Sequence, residues 1–315
     1  MVEQQERDGT VKRDFLAITD FTEDEIRATF ELARELKKKT GDKVEHHLLK
    51  GKTLAMIFQK PSARTRISFE VGMFQLGGHA IYLAPTDIGL GTRESIPDIA
   101  RVVSRYCDGI MARVFGHNIV TELAENANVP VINGLSDLLH PCQVMGDLLT
   151  IYEHKGQRDD LKIAFVGDGN NVANSWLNMA SRIPMTLRIA VPRGYEPDEA
   201  ILNNAREKGV SNVALTHDPV EAVRDADVVY TDVWASMGQE SEAEKRRRIF
   251  QPYQVNQALI AHAKEDCIVM HCLPAHRGDE ITDDVIDGPH SVVFDEAENR
   301  LHIQKAILVK LMADE

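Results

Sequence analysis

Cysteine is scarce in this chain. Cys107, Cys142, Cys267 and Cys272 are the four present in 315 residues; they form no CxxC pair and lack the density of a disulfide scaffold, which excludes a small stapled secreted fold. They read as buried thiols, of which at most one does chemistry. Positive charge is short too: 36 Lys and Arg against 49 Asp and Glu leave a net charge of −13, which excludes nucleic acid and anionic membranes as expected partners. Any anion site must then be a local basic pocket in an acidic surface. No apolar run is long enough to cross a bilayer. Met1-Val2-Glu3-Gln4-Gln5-Glu6-Arg7 lacks the apolar core of a signal peptide, so a cytoplasmic location is expected. Solenoid-period repeats and low-complexity linkers are also missing. What is there, 43% hydrophobic and 27% charged residues, is ordinary globular composition, and the length fits two domains, each with its own core.

Apolar strand-like runs alternate with helical patterns along the chain. Strands are expected at 54–58, 80–83, 109–112 and 130–133, then at 162–166, 187–191, 227–231 and 267–271. Helical segments between them make βα units, so the expected fold class is α/β, with two doubly wound parallel-sheet domains joined by helices. Thr22-Glu23-Asp24-Glu25 is a capping box with Phe21 and Ile26 as its staple, and it opens a helix through about Lys38. The boundary between domains is placed in the helix after His140-Pro141, giving domains at 1–145 and 146–295. A terminal helix, 296–315, is expected to pack back on the first.

The richest stretch is Pro61-Ser62-Ala63-Arg64-Thr65-Arg66. It lies where the strand 54–58 ends and a helix carrying Ile67, Val71 and Phe74 begins, so unpaired amides, the positive end of the helix dipole and a planar guanidinium fork converge on one point. That geometry binds an anion. The bland alternative is a surface helix cap with Arg66 and Glu70 as an i,i+4 ion pair. Two more groups fall at expected carboxyl ends of strands in the same domain, where open parallel sheets bind ligands: Arg113, and His140-Pro141-Cys142-Gln143. There His140 and Gln143 are three apart and project from one face, suited to polarising a carbonyl oxygen and holding an adjacent amide nitrogen.

The second domain carries its own set. Gly167-Asp168-Gly169-Asn170-Asn171-Val172 invites a dinucleotide reading, but Val172 replaces the third glycine and Val191-Pro192-Arg193 offers no ribose carboxylate. A nicotinamide dehydrogenase is therefore disfavoured. Asn171 offers an amide to a polar small molecule, while Asp168 and Asn170 are read as shaping the turn. Asp232 follows a strand end and suits an ammonium group; Ser236-Met237-Gly238 after it reads as a closing loop. Lys245-Arg246-Arg247-Arg248, alternating with Glu242 and Glu244, reads as a solvated helix face. His271-Cys272-Leu273-Pro274-Ala275-His276 places Cys272 in the cleft between domains, and its histidines do not complete a tetrahedral zinc set, so no metal is expected. A non-catalytic anion-binding protein would need the cradle but not the Asp232 and Cys272 set.

Taken together, these motifs resemble the aspartate/ornithine carbamoyltransferase superfamily over essentially the whole chain, the ornithine branch in particular. Ser-x-Arg-Thr-Arg, His-Pro-x-Gln, Asp-x-x-x-Ser-Met-Gly and His-Cys-Leu-Pro occur in the family's order. The resemblance implies that Ser62, Ala63, Arg64, Thr65 and Arg113 cradle the phosphate of carbamoyl phosphate. It further implies that His140, Gln143, Arg300 and the Cys272-Leu273 backbone hold its carbamoyl group, and that Asn171, Asp232, Ser236 and Met237 contact ornithine. On this resemblance Arg113, His140, Asp232 and Cys272 are the expected catalytic set, Cys272 as proton acceptor or amine orienter with the leaving phosphate as rival base. The family's second Thr of the cradle is Ala63 here, which removes a hydroxyl but keeps the amide. Implied too are an active site in the interdomain cleft, no cofactor, and a homotrimer or a multiple of it in which a loop within 86–95 reaches a neighbouring site. Transfer to putrescine, to an acylated ornithine or to aspartate is the alternative within the superfamily, and the Ser-Met-Gly loop argues against it.

Overall fold

The computed structural model describes residues 12–91, 93–235 and 242–314. The readings made on Met1 to Arg7, on Thr92 of the 86–95 loop and on Ser236, Met237 and Gly238 lie outside the described residues. The chain falls into two compact units, one of Met1–Cys142 with Arg300–Glu315, the other of Gln143–Asn299. The divisions fall inside two helices, Pro141–Lys155 and Val293–Met312. Among the described residues no helix is long and apolar enough to cross a membrane.

The first unit holds a four-stranded sheet of β1 (Thr53–Phe58), β2 (His79–Leu83), β3 (Gly109–Arg113) and β4 (Val131–Leu135), in the order β2-β1-β3-β4. The second holds β5 (Lys162–Val166), β6 (Thr186–Ala190), β7 (Asn212–Thr216), β8 (Val228–Thr231) and β9 (Ile268–His271), in the order β7-β6-β5-β8-β9. Every pairing is parallel. Helices bridge most successive strands, as parallel connections demand, and both sheets are doubly wound α/β layers as expected. The inner strands are near-continuous apolar runs because both faces are covered; all five residues of β3 are buried.

Strand β7 is the one the sequence analysis did not anticipate. It lies at the sheet edge and its residues alternate between exposed and half-buried, so Val213, Ala214 and Leu215 make too short an apolar run to stand out. Local signals held well elsewhere. Thr22 Oγ1 accepts from the Glu25 amide at 3.3 Å while Glu25 accepts from the Thr22 amide at 2.9 Å, and the helix they open runs Glu23–Gly41.

Strand order decides where ligands can bind. In open parallel sheets the crevice lies outside the carboxyl ends of the strands flanking the point where the winding reverses. That point falls between β1 and β3 in the first sheet, where Phe58 pairs with Arg113, and between β5 and β8 in the second, where Val166 pairs with Thr231. Beneath the first lies a core including Ile57, Ile110, Ala112 and Val131. Beneath the second lies one including Val166, Val229, Val255 and Val269. Each large apolar side chain so buried contributes about 1.5–3 kcal/mol, which makes both platforms rigid.

Candidate active site

In the first unit the helix Ala63–Gln75 starts straight after β1, with Ser62 as its N-cap and Ser62 Oγ accepting from the Thr65 amide at 3.3 Å. The amides of Ala63 and Arg64 belong to the helix's first turn, which has no intrahelical acceptors for them, and they carry the positive end of its dipole. The two arginines part company. Arg66 Nε donates to Glu70 at 2.9 Å and its guanidinium stacks 4.0 Å over Tyr82, so for Arg66 the surface-pair alternative holds; Arg64 is exposed. Thr65 is fully buried, its Oγ1 accepting from Arg300 Nη2 at 3.2 Å and lying 3.2 Å from Ser62 Oγ.

Arg113 ends β3, and the register of β3 with β4 shifts between Ala112 and Arg113, the kind of irregularity that re-aims a side chain at a strand end. His140 is buried, and burial first, then the charges of Arg300 and Arg113, hold its pKa well below the ordinary histidine value. The ring therefore favours its neutral form, and a neutral imidazole N–H near two guanidinium groups is suited to a carbonyl oxygen on which negative charge develops.

The second unit gathers its groups around Asp232, one residue past β8. Cys272 Sγ donates to Asp232 Oδ1 at 3.0 Å, Asn170 Nδ2 donates to Oδ2 at 2.7 Å, and the Val233 amide donates to Oδ1 at 2.8 Å. Burial, then Asp232, raise the Cys272 pKa well above the usual thiol value. A thiol that donates to a carboxylate is held in its protonated form, with its sulfur fixed beside Asp232. Asn171 opens the helix Asn171–Ala180, capped by Asn170 Oδ1. Leu273 sits in the left-handed region at φ 54°, a conformation strained for a branched residue. Its amide donates to His271 Nδ1 at 2.9 Å, while His271 Nε2 faces Glu280 Oε1 at 3.0 Å.

Among the described residues one set of ligand atoms, from Asp232, His271 and Cys272, lies within 4.8 Å of one another. Both His271 nitrogens already have partners, so a cation there would have to break one of these bonds. The dinucleotide reading fails on geometry as well as on sequence. A Cβ on Gly169 would lie 2.3 Å from the Pro197 nitrogen and 2.5 Å from the Tyr195 oxygen. The close approach that this glycine permits is therefore already taken by backbone.

Comparison with known proteins decides between the readings. The carbamoyl-P binding domain model of aspartate/ornithine carbamoyltransferase matches residues 13–153, and the Asp/Orn binding domain model matches residues 159–311. The chain belongs to the aspartate/ornithine carbamoyltransferase family. It is 58% identical over 298 residues to the ornithine carbamoyltransferase of Syntrophus aciditrophicus, covering 95% of this chain and 99% of the relative. It is 58% identical over 306 residues to the anabolic ornithine carbamoyltransferase of Pyrococcus furiosus, covering 95% and 96%. The solved structure of the Pyrococcus furiosus ornithine carbamoyltransferase superimposes with a TM-score of 0.91, covering 95% of this chain and 97% of that one.

For this carbamoyltransferase the structure adds residues that the motifs did not single out. Asp168 and Asn170 were read as turn formers. Asn170 in fact bonds Asp232, and Asp168 accepts from Arg246 at 2.8 Å, its carboxyl pushed up to about 6 by burial, against the pull of Arg246. The basic run needs a correction at one position: Arg246 is buried, lies 4.9 Å from the Tyr195 ring centroid and donates to Trp234 O, whereas Lys245, Arg247 and Arg248 are exposed. Asp147 and Glu296, which receive the Gln143 amide, were also missed. Asp147 was within reach of sequence reasoning, being four residues after Gln143 on one helix.

Proposed function

We propose that this chain transfers the carbamoyl group of carbamoyl phosphate to the δ-amine of L-ornithine, giving L-citrulline and phosphate. The observation that carries the reading is its full-length likeness to relatives named ornithine carbamoyltransferase at 58% identity. Residue chemistry at both switch points supports it.

In this reading the first-turn amides at Ala63 and Arg64, with Ser62, Thr65, Arg64 and Arg113, hold the phosphate. His140, Gln143, Arg300 and the Cys272-Leu273 backbone hold the carbamoyl group. The deprotonated amine attacks the carbamoyl carbon, and the neutral His140 ring and Arg300 stabilise charge on the carbonyl oxygen. The bond from carbon to the phosphate oxygen then breaks, phosphate leaves with the bonding electrons, and it accepts the proton that the amine gives up. Asp232 binds an ammonium group of ornithine, Cys272 orients the amine, and Asn171 with Ser236 and Met237 contacts the amino-acid head group. Holding both reactants in line supplies the proximity that a bimolecular reaction in water lacks. The balanced reaction needs no cofactor. Use in arginine biosynthesis is part of the proposal, supported by likeness to the enzyme named anabolic.

The test is citrulline formation from carbamoyl phosphate with a panel of amines. L-Ornithine is expected to be the preferred acceptor, and a purified protein that carbamoylates none of the panel would refute the reading.

Assembly as a trimer or a multiple of it, in the cytoplasm, belongs to the same proposal. The helix Ala63–Gln75 leaves Ile67 59% and Phe74 79% exposed, and the edge strand β2 leaves Ile81 40% exposed. Seven residues apart, Ile67 and Phe74 share one helix face, and an apolar surface of that kind fits contact with a second copy. Light scattering in dilute buffer is expected to give the mass of three chains or a multiple of three; a stable, active monomer would rule this out.

A further inference from the structure

Gln143 is 1% exposed, on the first turn of the helix Pro141–Lys155. Its Nε2 donates to Asp147 Oδ1 at 2.8 Å and to Glu296 Oε1 at 3.2 Å. Glu296 is fully buried and also accepts from the Tyr230 hydroxyl at 3.2 Å and from the His271 amide at 2.9 Å. Asp147 is fully buried too. Burial, then the neighbouring Asp147 carboxylate, push the Glu296 carboxyl well up.

The two carboxyl oxygens that face Gln143, Asp147 Oδ1 and Glu296 Oε1, both accept from it. The edge of the Gln143 amide that faces them must then be its NH2, whichever way the amide would otherwise turn. Its oxygen is forced to the opposite side. There Gln143 Oε1 is buried and accepts no hydrogen bond among the described residues, a costly state that a ligand donor would relieve.

We propose that Asp147 and Glu296 are positioning residues that lock Gln143 with its amide oxygen as a fixed acceptor for the amino group of the carbamoyl donor, so that the enzyme selects carbamoyl phosphate over acetyl phosphate. The inference rests on the reading of Gln143 as a carbamoyl ligand. Acetyl phosphate has the same phosphate and carbonyl and carries a methyl group where carbamoyl phosphate has NH2. The phosphate cradle cannot tell the two apart. A locked acceptor can, because the methyl group leaves it unpaired, whereas a freely turning amide could present its own NH2 and lose the distinction.

The experiment uses the full-length protein and four measurements on each variant: KM and kcat for carbamoyl phosphate, the Ki of acetyl phosphate, the Ki of inorganic phosphate, and the melting temperature. Asp147→Ala and Glu296→Ala are each expected to raise KM for carbamoyl phosphate about tenfold or more and to narrow the carbamoyl-to-acetyl affinity ratio by a similar factor. The phosphate Ki, which reads the cradle alone, is expected to stay within about twofold. Glu296→Gln is expected to narrow the ratio as well, because Oε1 accepts from Gln143 and Tyr230 and Oε2 from the His271 amide, so the NH2 of the new amide must oppose one of these donors. Should the alanine variants fail to fold, Asp147→Leu keeps the size and removes both acceptor oxygens, and it too is expected to narrow the ratio. An unchanged ratio in a folded variant overturns the proposal, as does a phosphate Ki that rises in step with KM, the mark of general loosening. Gln143→Ala separates the two levels of the argument. If it leaves the ratio intact, the reading of Gln143 as a ligand has failed; if it collapses the ratio while Asp147→Ala and Glu296→Ala do not, only the positioning has failed.

Discussion

Arg64→Ala is expected to lower kcat/KM for carbamoyl phosphate about a hundredfold or more while leaving the fold intact. The size follows from the contact: a guanidinium fork aimed at a phosphate makes charge-assisted bonds, and removing one such contact from a transition state costs roughly 2–4 kcal/mol. The fold should survive because Arg64 is exposed on the first helical turn and buries nothing there. The helix keeps its Ser62 cap and its buried Thr65, Phe69 and Met73. Arg66→Ala is the internal control, since Arg66 is engaged by Glu70 and Tyr82; it should cost well under tenfold, in line with an exposed helix ion pair. Steady-state kinetics at saturating ornithine check both. Near-native kcat/KM in Arg64→Ala, or equal losses in the two variants, would remove Arg64 from the phosphate site.

The contrast between those arginines shows where sequence reasoning reaches and where it stops. That a helix N-terminus follows β1 is written in local signals: the apolar run 54–58, the capping serine and the helical spacing of the residues after it. Which of two arginines two residues apart is already occupied depends on Tyr82, a residue of the neighbouring strand β2, and no local pattern records that. The doubly wound sheets were legible because buried parallel strands are continuous apolar runs, and β7 was lost because an edge strand need not be one. The Asp232 cluster was half legible. Its carboxylate and Cys272 were singled out by their positions after strands, yet the direction of the bond between them comes from burial of the thiol, a property of packing. Glu296 was out of reach altogether, since it meets Gln143 across 153 positions of the chain.

The second large effect is expected at Asp232, in the choice of amine. Both Asp232 oxygens are already acceptors, Oδ1 from Cys272 and Val233, Oδ2 from Asn170. Asp232→Asn removes the negative charge offered to ornithine and also turns one acceptor into a donor. If that donor faces Asn170, two NH2 groups oppose each other. Asn170 cannot flip to relieve this, because its own oxygen caps the next helix, accepting from Val172 at 2.9 Å and from Ala173 at 3.2 Å. The variant is thus expected to lose both the ammonium contact and the order of the turn that presents Asn171. A lost hydrogen bond to a charged group and an unsatisfied buried donor cost about 1–3 kcal/mol each, and each 1.4 kcal/mol is about tenfold. The expected result is a loss of about two to three orders of magnitude in kcat/KM for ornithine, with a much smaller effect on carbamoyl phosphate binding, because the proposed phosphate ligands Arg64 and Arg113 belong to the first unit. Wild-type protein should report the proposed contacts through the substrate: putrescine has the reactive amine but no carboxylate, and would leave unpaired the head-group contacts proposed for Asn171, Ser236 and Met237, while aspartate would bring a second carboxylate to face Asp232. Kinetics with the three amines should therefore rank L-ornithine above putrescine and aspartate by orders of magnitude. Equal turnover of putrescine and ornithine would falsify the amino-acid reading of this set, even with the carbamoyl half of the site intact.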